Sequence, residues 1–435
     1  MFRTLCCAFL GFSAIVACGG PGCARETGGG PGEGADATAD VAAFVDSSIS
    51  DAGYDASKAD ASGDGGLSFC RGCALPTLLT GELAEAGPRP LVGVFYFDGW
   101  ADRSSANFHL EPPNSELLSP PWSGREPLTG WYDDDAGTID QFSAWASAAG
   151  MSFWLFDWYA TAFDGNASDQ TLNSALGLFR ASPHKAAMSF AVLYVANIAV
   201  PPPRWDDYCA QWVAMFADKA YLRAGGKPVF FILGPGNIDS TFADAGGGAY
   251  ALSRLRTIAA AGGDGGTAFP TIEIVGLTGP QDVRSYIREG YDGFTEYNYP
   301  GGRGTVVGNG TKANPTENPF STLAGTGSTI WTDFANYSAV YDASAPKYVP
   351  SVTVGWDPRP WHETPYYYDR DPVSVAGFVF EAELWTAQHA TQNIDPTTPI
   401  MLLEAWNELG EGSYLVPTKE DHGSYLEQVA AVIPP

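Results

Sequence analysis

From residue 91 onward, the chain alternates between short apolar runs and longer stretches with helical spacing. The runs are rich in β-branched and aromatic residues and are almost continuously apolar, which is typical of strands buried on both faces of a parallel sheet. Eight strands are predicted, at Leu91–Phe97, Met151–Asp157, Ala187–Val195, Lys227–Leu233, Pro270–Leu277, Gly293–Tyr299, Tyr348–Gly355 and Pro399–Trp406. Helices are predicted at Thr138–Ala149, Asp169–Ala181, Trp205–Ala220, Ala249–Ala261, Gln281–Glu289, Ile330–Ala343, Pro372–Thr391 and Ser424–Ala430.

Eight successive strand–helix units favour a closed barrel. No glycine-rich phosphate fingerprint follows the first strand, which argues against an open doubly wound sheet. We therefore predict an α/β fold, a single (β/α)8 TIM barrel that occupies residues 91–435. Helix-to-strand connections are short, whereas the strand-to-helix loops Asp98–Gly137, Pro300–Thr329 and Trp356–Asp371 are long. The functional site of such a barrel lies among these loops, at the C-terminal ends of the strands.

The N-terminal region has a different composition. Residues 1–18 have one Arg, an apolar stretch and a small residue before Cys18, which predicts a secretory signal too short to span a membrane. The segment resembles a bacterial lipoprotein signal with Cys18 as the lipidated residue, and a plain signal peptide is the alternative. Residues 19–68 contain nine acidic and two basic residues among Gly, Ala and Ser, so a disordered acidic tether is predicted. We expect an exported lipoprotein at the outer membrane or cell surface, in contact with membrane only through this anchor.

The formal net charge of −27 limits the classes of molecule that the protein can bind. A surface this negative repels nucleic-acid phosphates, so nucleic acid is excluded as a partner. The five histidines are scattered without metal-ligand spacing, and we expect neither a metal nor a cofactor. We expect a monomer that acts on a polysaccharide or an oligosaccharide.

The seven cysteines carry little chemistry. Cys70 and Cys73 form a C-x-x-C in a lead-in segment, residues 69–90. A second pair for zinc is missing, and no βαβ start for a redox motif adjoins them. In an oxidising compartment we predict a local disulfide between them. Cys209 is predicted to be a buried small apolar residue on a helix.

Aromatic rings are frequent in the long loops, next to polar residues at the strand ends. Rings stack on the apolar faces of sugars while Asp, Asn and Arg bond to hydroxyls, so the set predicts a glycan cleft. The alternative is that the rings fill a large loop core. The predicted substrate-binding residues are Tyr96, Asp98, Trp100, Asp157, Trp158, Tyr194, Asn197, Glu296, Asn298, Trp356, Asp357, Arg359, Trp406, Asn407 and Tyr414.

The last strand is followed by the densest acidic cluster. Glycoside cleavage needs one protonated carboxyl and one ionised carboxylate. Glu408 and Glu411 are three residues apart, so in a tight turn they project to one side, and Gly410 and Gly412 permit such a turn. Mutual repulsion would separate their pKa values and so separate acid from base. A capping pair at the last helix is the alternative.

The segment Asn407–Leu415, NELGEGSYL, resembles the N-E-W-x-E-G motif of glycoside hydrolase family 99 and of the related WbsX-type domains of polysaccharide gene clusters. The GWDPR at residues 355–359 and the GKPV at 226–229 are also similar to WbsX-type segments. The resemblance implies a (β/α)8 barrel and a retaining endo-α-mannosidase that acts through a 1,2-anhydro sugar. By position, Glu408 would be the base toward the 2-hydroxyl and Glu411 the acid and then the base.

Two residues depart from the family pattern. Leu409 stands where the family usually has Trp, so a stacking ring is missing or is supplied elsewhere, for instance by Trp406. Glu404 is a third acid that the pattern does not require. We expect a glycan-cleaving hydrolase; a non-catalytic carbohydrate-binding lipoprotein and a polysaccharide-biosynthesis factor of the WbsX type are the alternatives.

Overall fold

Eight parallel strands close into a barrel in the computed structural model of the protein. Closure depends on the seventh strand, which is interrupted by Val349 and Pro350. Its first half, at Tyr348, pairs with Phe294 of the strand before it, and its second half, at Val352, pairs with Leu403 of the last strand. The last strand in turn pairs with the first. Each strand therefore has a partner on both sides, and the predicted (β/α)8 fold is confirmed.

The strands are β1 (Leu91–Tyr96), β2 (Phe153–Trp158), β3 (Ser189–Val195), β4 (Lys227–Leu233), β5 (Glu273–Leu277), β6 (Gly293–Thr295), β7 (Lys347–Tyr348 and Ser351–Thr353) and β8 (Ile400–Glu404). The helices are α1 (Ala136–Ala148), α2 (Ser174–Ala181), α3 (Trp205–Phe216), α4 (Pro235–Thr241), α5 (Gly247–Ala261), α6 (Val283–Glu289), α7 (Phe320–Ala335), α8 (Tyr337–Tyr341), α9 (Pro372–Gln388) and α10 (Ser424–Val432). The structure describes residues 67, 71, 83–100, 109–110, 114–160, 172–185, 188–197, 199–263, 266–299, 316–341, 345–361 and 365–433.

The side chains of each strand alternate between two apolar layers, as the period of two requires. The layer inside the barrel includes Phe95, Leu155 and Leu402. The layer between barrel and helices includes Trp154 and Phe156. This alternation decides which residues at a strand end can face the mouth of the barrel.

Local signals fix several helix ends. Asp135 accepts a hydrogen bond from the Thr138 amide at the start of α1. Asp371 caps α9 through the amides of Val373 and Ser374. Both are side-chain caps of the kind that satisfies the free amides of a first helical turn.

Helix α7 begins earlier than predicted, at Phe320 rather than Ile330. Its Thr, Ser and Gly residues are typical of a loop, but hydroxyls such as that of Thr326 donate to the carbonyl four residues back. Gly327 allows the close packing, since a Cβ there would lie 2.5 Å from the Tyr299 hydroxyl and 2.6 Å from Phe378. Helix α4 was not predicted.

The N-terminal predictions concern residues that the structure does not describe: the signal at 1–18 with Cys18, nearly all of the tether at 19–68, and Cys70 and Cys73. The described residues all fall within one compact unit. Cys209 is a free thiol, fully buried on α3 as predicted. Within the described ranges, no helix has the length and apolarity needed to cross a membrane.

Candidate active site

Carboxyl groups from two strands face the inside of the barrel at its C-terminal mouth. Asp157 follows the inward-facing Leu155 on β2, and Glu404 follows the inward-facing Leu402 on β8. Both are nearly or fully buried, with 2% and 0% of their surface exposed. The apolar layer of the barrel interior lies below them, so the lower part of the barrel is a packed core and only its mouth carries chemistry.

A short hairpin after β8 brings two further acids to this place. Its strands, Asn407–Glu408 and Ser413–Tyr414, pair in antiparallel register and hold Glu408 and Glu411 on one connection. We call residues 407–414 the acidic hairpin. Gly412 has φ +72° and its Cβ would meet Asp357, while a Cβ on Gly410 would overlap the Trp361 ring at 2.1 Å. Glycine is needed at 412 for the turn and at 410 for the close approach of the ring.

An arginine that the sequence did not single out holds the turn of the acidic hairpin. Arg125 donates to the carbonyls of Leu409 at 2.9 Å and Asp357 at 3.0 Å, and to the Asp357 carboxylate at 2.7 Å. The Asp357 amide donates in turn to the Glu411 carbonyl at 2.6 Å. Arg359 adds two bonds to the same carboxylate, at 2.6 and 2.9 Å. These contacts fix the backbone on both sides of Glu411.

The other end of the hairpin is tied to β1. Asn407 accepts from the Phe97 amide and donates to the Phe97 carbonyl, both at 2.9 Å. The Trp100 indole donates to the Asn407 carbonyl at 2.9 Å. Trp100 also stacks on Trp361 with ring centroids 5.5 Å apart. Asn407 and Trp100 are therefore positioning residues for Glu408.

Tyr297, which follows β6, joins two of the acids. Its hydroxyl lies 2.5 Å from Oε1 of Glu408 and 3.3 Å from Oδ2 of Asp157. Its ring packs edge-on against Phe95 inside the barrel, at 5.0 Å. Burial raises the pKa of the Tyr159 phenol at the end of β2, and the charges of Asp157 and Glu408 raise it further, so this phenol also lies near the acids. Sequence reasoning placed neither tyrosine among the site residues.

Burial raises the pKa of all four carboxyl groups. The pKa of Glu408 rises to about 7, opposed by the hydrogen bond from Tyr297. The pKa of Glu411 rises well above its ordinary value through burial and then through the charges of Glu408 and Asp157. Burial raises the pKa values of Asp157 and Glu404 as well. Among the described residues, none of the four forms an ion pair. Glu408 is thus the member that ionises with least difficulty.

Five residues predicted as substrate contacts have side chains that lie on the helix side of the barrel wall. Tyr96 donates to Asp133 at 2.6 Å and packs on Trp154. The rings of Trp158 and Tyr194 pack together, and the ring of Trp406 lies 5.1 Å from that of Trp154. The fifth, Glu296, accepts from Tyr348 at 2.6 Å in the same outer layer. Neighbours along a strand face opposite ways, so Tyr96, Trp158, Tyr194 and Glu296 cannot share the mouth with Asp157. Trp406 lies beyond the end of β8, in the same apolar layer as Trp154.

Two further predicted contacts have structural roles. Asp98 is fully buried and accepts from the amides of Ala175 and Leu176, so it caps α2 rather than facing substrate. Tyr414 is buried, donates to Glu420 and lies under the Arg370 guanidinium. Both side chains are held by groups of the protein itself.

The remaining predicted residues lie around the loops. Trp356 is buried, with 7% exposed, and Trp100 is buried in the ring cluster, as the loop-core alternative expects. Arg359 is half-buried and packs between Trp122 and Tyr366. Asn197 is exposed and accepts from Asn237 at 2.8 Å, and Asn298 is half-buried. Leu409 is fully buried, and the ring that packs against the hairpin, at Gly410, is that of Trp361.

The described residues contain no group of three or more His, Cys, Asp or Glu side chains arranged to hold a metal ion. The polar groups at this mouth are carboxyl groups and phenols. Closely spaced acids with different proton affinities, at the C-terminal mouth of a (β/α)8 barrel, define a site suited to acid–base catalysis.

Comparison with known proteins gives the family. The model of the family described as Glycosyltransferase WbsX matches residues 199–429, more than half of the chain and including the acidic hairpin. The chain belongs to the WbsX family. No curated protein matches it.

Solved structures with a similar chain course include glycoside hydrolases. One is the GH99 endo-α-mannosidase of Bacteroides thetaiotaomicron, 17% identical over 78% of this chain and 95% of that one, with TM-scores of 0.49 and 0.48 in two structures. Another is a family 39 glycoside hydrolase from Bacteroides cellulosilyticus WH2, 11% identical over 79% of this chain and 64% of that one, with a TM-score of 0.42. Similarity of this degree does not define the reaction of the present chain.

Proposed function

We propose that the protein is a retaining glycoside hydrolase that cleaves α-linked glycans, with an endo-α-mannosidase-like specificity. The observation that carries the proposal is the convergence of Glu408 and Glu411 on one hairpin at the barrel mouth, with unequal proton affinities. The motif resemblance assigns the same two residues as base and acid.

The local contacts support different roles for the two acids. Tyr297 donates to Glu408, and a donated hydrogen bond favours the ionised form of a carboxylate. The buried Oε2 atom of Glu411 has no hydrogen-bond partner among the described residues. The negative charges of Glu408 and Asp157 also repel a charge on Glu411, and both facts favour its protonated form. One base and one acid are what cleavage of a glycosidic bond requires.

In the proposed first step, Glu408 takes the proton of the sugar 2-hydroxyl while that oxygen attacks the anomeric carbon. Glu411 gives its proton to the departing glycosidic oxygen, and a 1,2-anhydro sugar forms. In the second step, Glu411 takes a proton from water while the water oxygen attacks the anomeric carbon and opens the three-membered ring. Glu408 returns its proton to the 2-oxygen. Two inversions give net retention.

The test is hydrolysis of α-mannan oligosaccharides and of other α-linked glycans. NMR identifies the anomer that is released first. We expect the α-anomer, and we expect Glu408→Gln and Glu411→Gln each to lower kcat/KM by about 10²–10⁴-fold. Glu427→Gln, on helix α10 and outside the acidic hairpin, is the matched control and should retain activity. Glycan affinity by calorimetry without turnover, unaffected by Glu411→Gln, would instead identify a carbohydrate-binding protein.

A second candidate follows from the family description, which names a glycosyltransferase. An acid and a base at an anomeric centre serve transfer to a sugar as well as transfer to water. Incubation with activated sugar donors and an acceptor oligosaccharide separates the two: a product longer than the acceptor supports transfer, and shortened chains support hydrolysis.

We also propose that the protein is exported and anchored through Cys18 at the outer membrane or cell surface. The proposal rests on the sequence of residues 1–18 and the acidic tether after it. Labelling of cells with a radioactive fatty acid should mark the wild-type protein and leave Cys18→Ala unlabelled. Equal labelling of both proteins would contradict the anchor.

A further inference from the structure

Glu404 is an acid at the site that the proposed reaction does not use. It is fully buried at the end of β8, and its Oε1 atom has no hydrogen-bond partner among the residues that the structure describes. The groups that face it are Glu408 and Glu411 of the acidic hairpin and Asp157 of β2. The phenols of Tyr297 and Tyr299, beyond β6, also lie within reach of its charge.

The contacts of Ser413 indicate the protonation state of Glu404. Ser413 Oγ lies 2.6 Å from the main-chain oxygen of Glu404 and 3.0 Å from its Oε2 atom. A serine hydroxyl has one proton, and a main-chain carbonyl can only accept. The shorter contact therefore uses the serine proton. For the longer contact to be a second, separate hydrogen bond, the proton must lie on Glu404 Oε2 and Ser413 Oγ must accept it.

The surroundings lead to the same conclusion. A buried carboxylate is stable when it is paired with a cation or accepts several hydrogen bonds. In the described part of the chain, Glu404 forms no ion pair and faces three other acids. A third ionised group here would oppose ionisation of Glu408, whereas a neutral group would not.

We propose that Glu404 is a positioning residue that works as a neutral carboxylic acid: it donates a hydrogen bond to Ser413 and so fixes the hairpin strand that follows Glu411. The inference rests on the proposed function for its kinetic test only. Its direct prediction is that Glu404 holds its proton at neutral pH in the folded protein.

The kinetic test compares glutamine and leucine at position 404 with glutamine at positions 408 and 411. A glutamine amide keeps the shape of the neutral acid and can donate to Ser413, so Glu404→Gln should keep kcat/KM within about threefold of wild type, with both limbs of the pH profile unmoved. Glu404→Leu cannot donate, and its kcat should fall by tenfold or more. Glu408→Gln and Glu411→Gln should be inactive. Loss of activity in a folded Glu404→Gln equal to that in Glu404→Leu would overturn the proposal.

A spectroscopic test does not need activity. The infrared band of a protonated carboxyl should be present in the wild type at pH 7 and one such band should be absent in Glu404→Gln. Glu296→Gln is the matched control: Glu296 is also buried, with one oxygen bonded to a phenol and the other without a partner, but it lies in the outer layer. Its removal should leave the Glu404 band in place. An unchanged spectrum for Glu404→Gln refutes the inference, whereas lack of glycan cleavage with the expected spectrum refutes only the proposed function.

Discussion

Replacement of Glu408 by Gln should stabilise the protein in a pH-dependent way. The pKa of Glu408 in the folded chain is raised from 4.5 to about 7. The folded state therefore holds a proton that the unfolded state has already released between these two pH values. Stability from this group is present in full below pH 4.5 and is lost as the pH rises through 7, because folding then requires an ionised carboxylate to be buried.

The size of the effect follows from the shift. Each pKa unit corresponds to about 1.36 kcal/mol, so a shift of this size costs the folded state about 3 kcal/mol above neutral pH. Glutamine has the same shape and cannot ionise, and its amide oxygen can still accept the hydrogen bond from Tyr297. The variant should therefore be about 3 kcal/mol more stable than wild type at about pH 8 and nearly equal to it at about pH 4.5.

The assay is urea unfolding of both proteins at the two pH values, with the free energies extrapolated to water. Comparison of the variant with wild type cancels the contributions of other titrating groups, such as Glu296 and Glu383, to first order. A stability difference that does not change with pH would refute the reasoning, because it would show that Glu408 titrates alike in the folded and unfolded chains. A gain in stability together with the loss of turnover expected above is the trade-off typical of an active-site charge.

Three other variants test the parts around the acidic pair. Tyr297→Phe removes the hydrogen bond that favours ionised Glu408, so the acidic limb of kcat/KM should move up by about one pH unit, and an unmoved limb would contradict the contact. Arg125→Lys loses the fork that holds the Leu409 carbonyl; urea unfolding should show a loss of about 2 kcal/mol, with kcat reduced more than KM is changed. Gly327→Ala overpacks α7 and should lower the free energy of unfolding by about 1–3 kcal/mol without moving either limb of the pH profile.

The eight strands could be predicted because a parallel barrel makes every strand a continuous apolar run, and such runs are visible in one sequence. The start of α7 could not, because its Thr, Ser and Gly residues have weak helix propensity and are helical through packing against Tyr299 and Phe378. Contacts of this kind join residues distant in sequence, and local spacing does not reveal them.

Several predicted site residues lie away from the barrel mouth, and most of these cases have one cause. A list of polar and aromatic residues near the strand ends includes both faces of each strand, although only every second residue faces the inside of the barrel. Applied strictly, the period of two selects Asp157 over Trp158, and Tyr297 over Glu296 and Asn298. It also selects Glu404 at the end of β8. Tyr297 was therefore within reach of sequence reasoning.

Arg125 had no comparable signal. It lies in a short helical turn, Trp122–Arg125, far along the chain from the carbonyls that it binds at Asp357 and Leu409. Nothing in its neighbours distinguishes it from a surface arginine, and only the fold brings it to the hairpin.

The position of the acids explains why they are unequal. The barrel interior below them is apolar, so water cannot solvate a charge from that side, and every carboxyl at this level is driven toward its neutral form. The two hairpin acids then differ in the donors that reach them and in the neighbouring charges that raise the pKa of Glu411. Glu408 has the Tyr297 hydroxyl, whereas Oε2 of Glu411 has no donor in the described part of the chain. In the proposed reaction this one phenol, placed by the strand period, favours Glu408 as the base and leaves Glu411 as the acid.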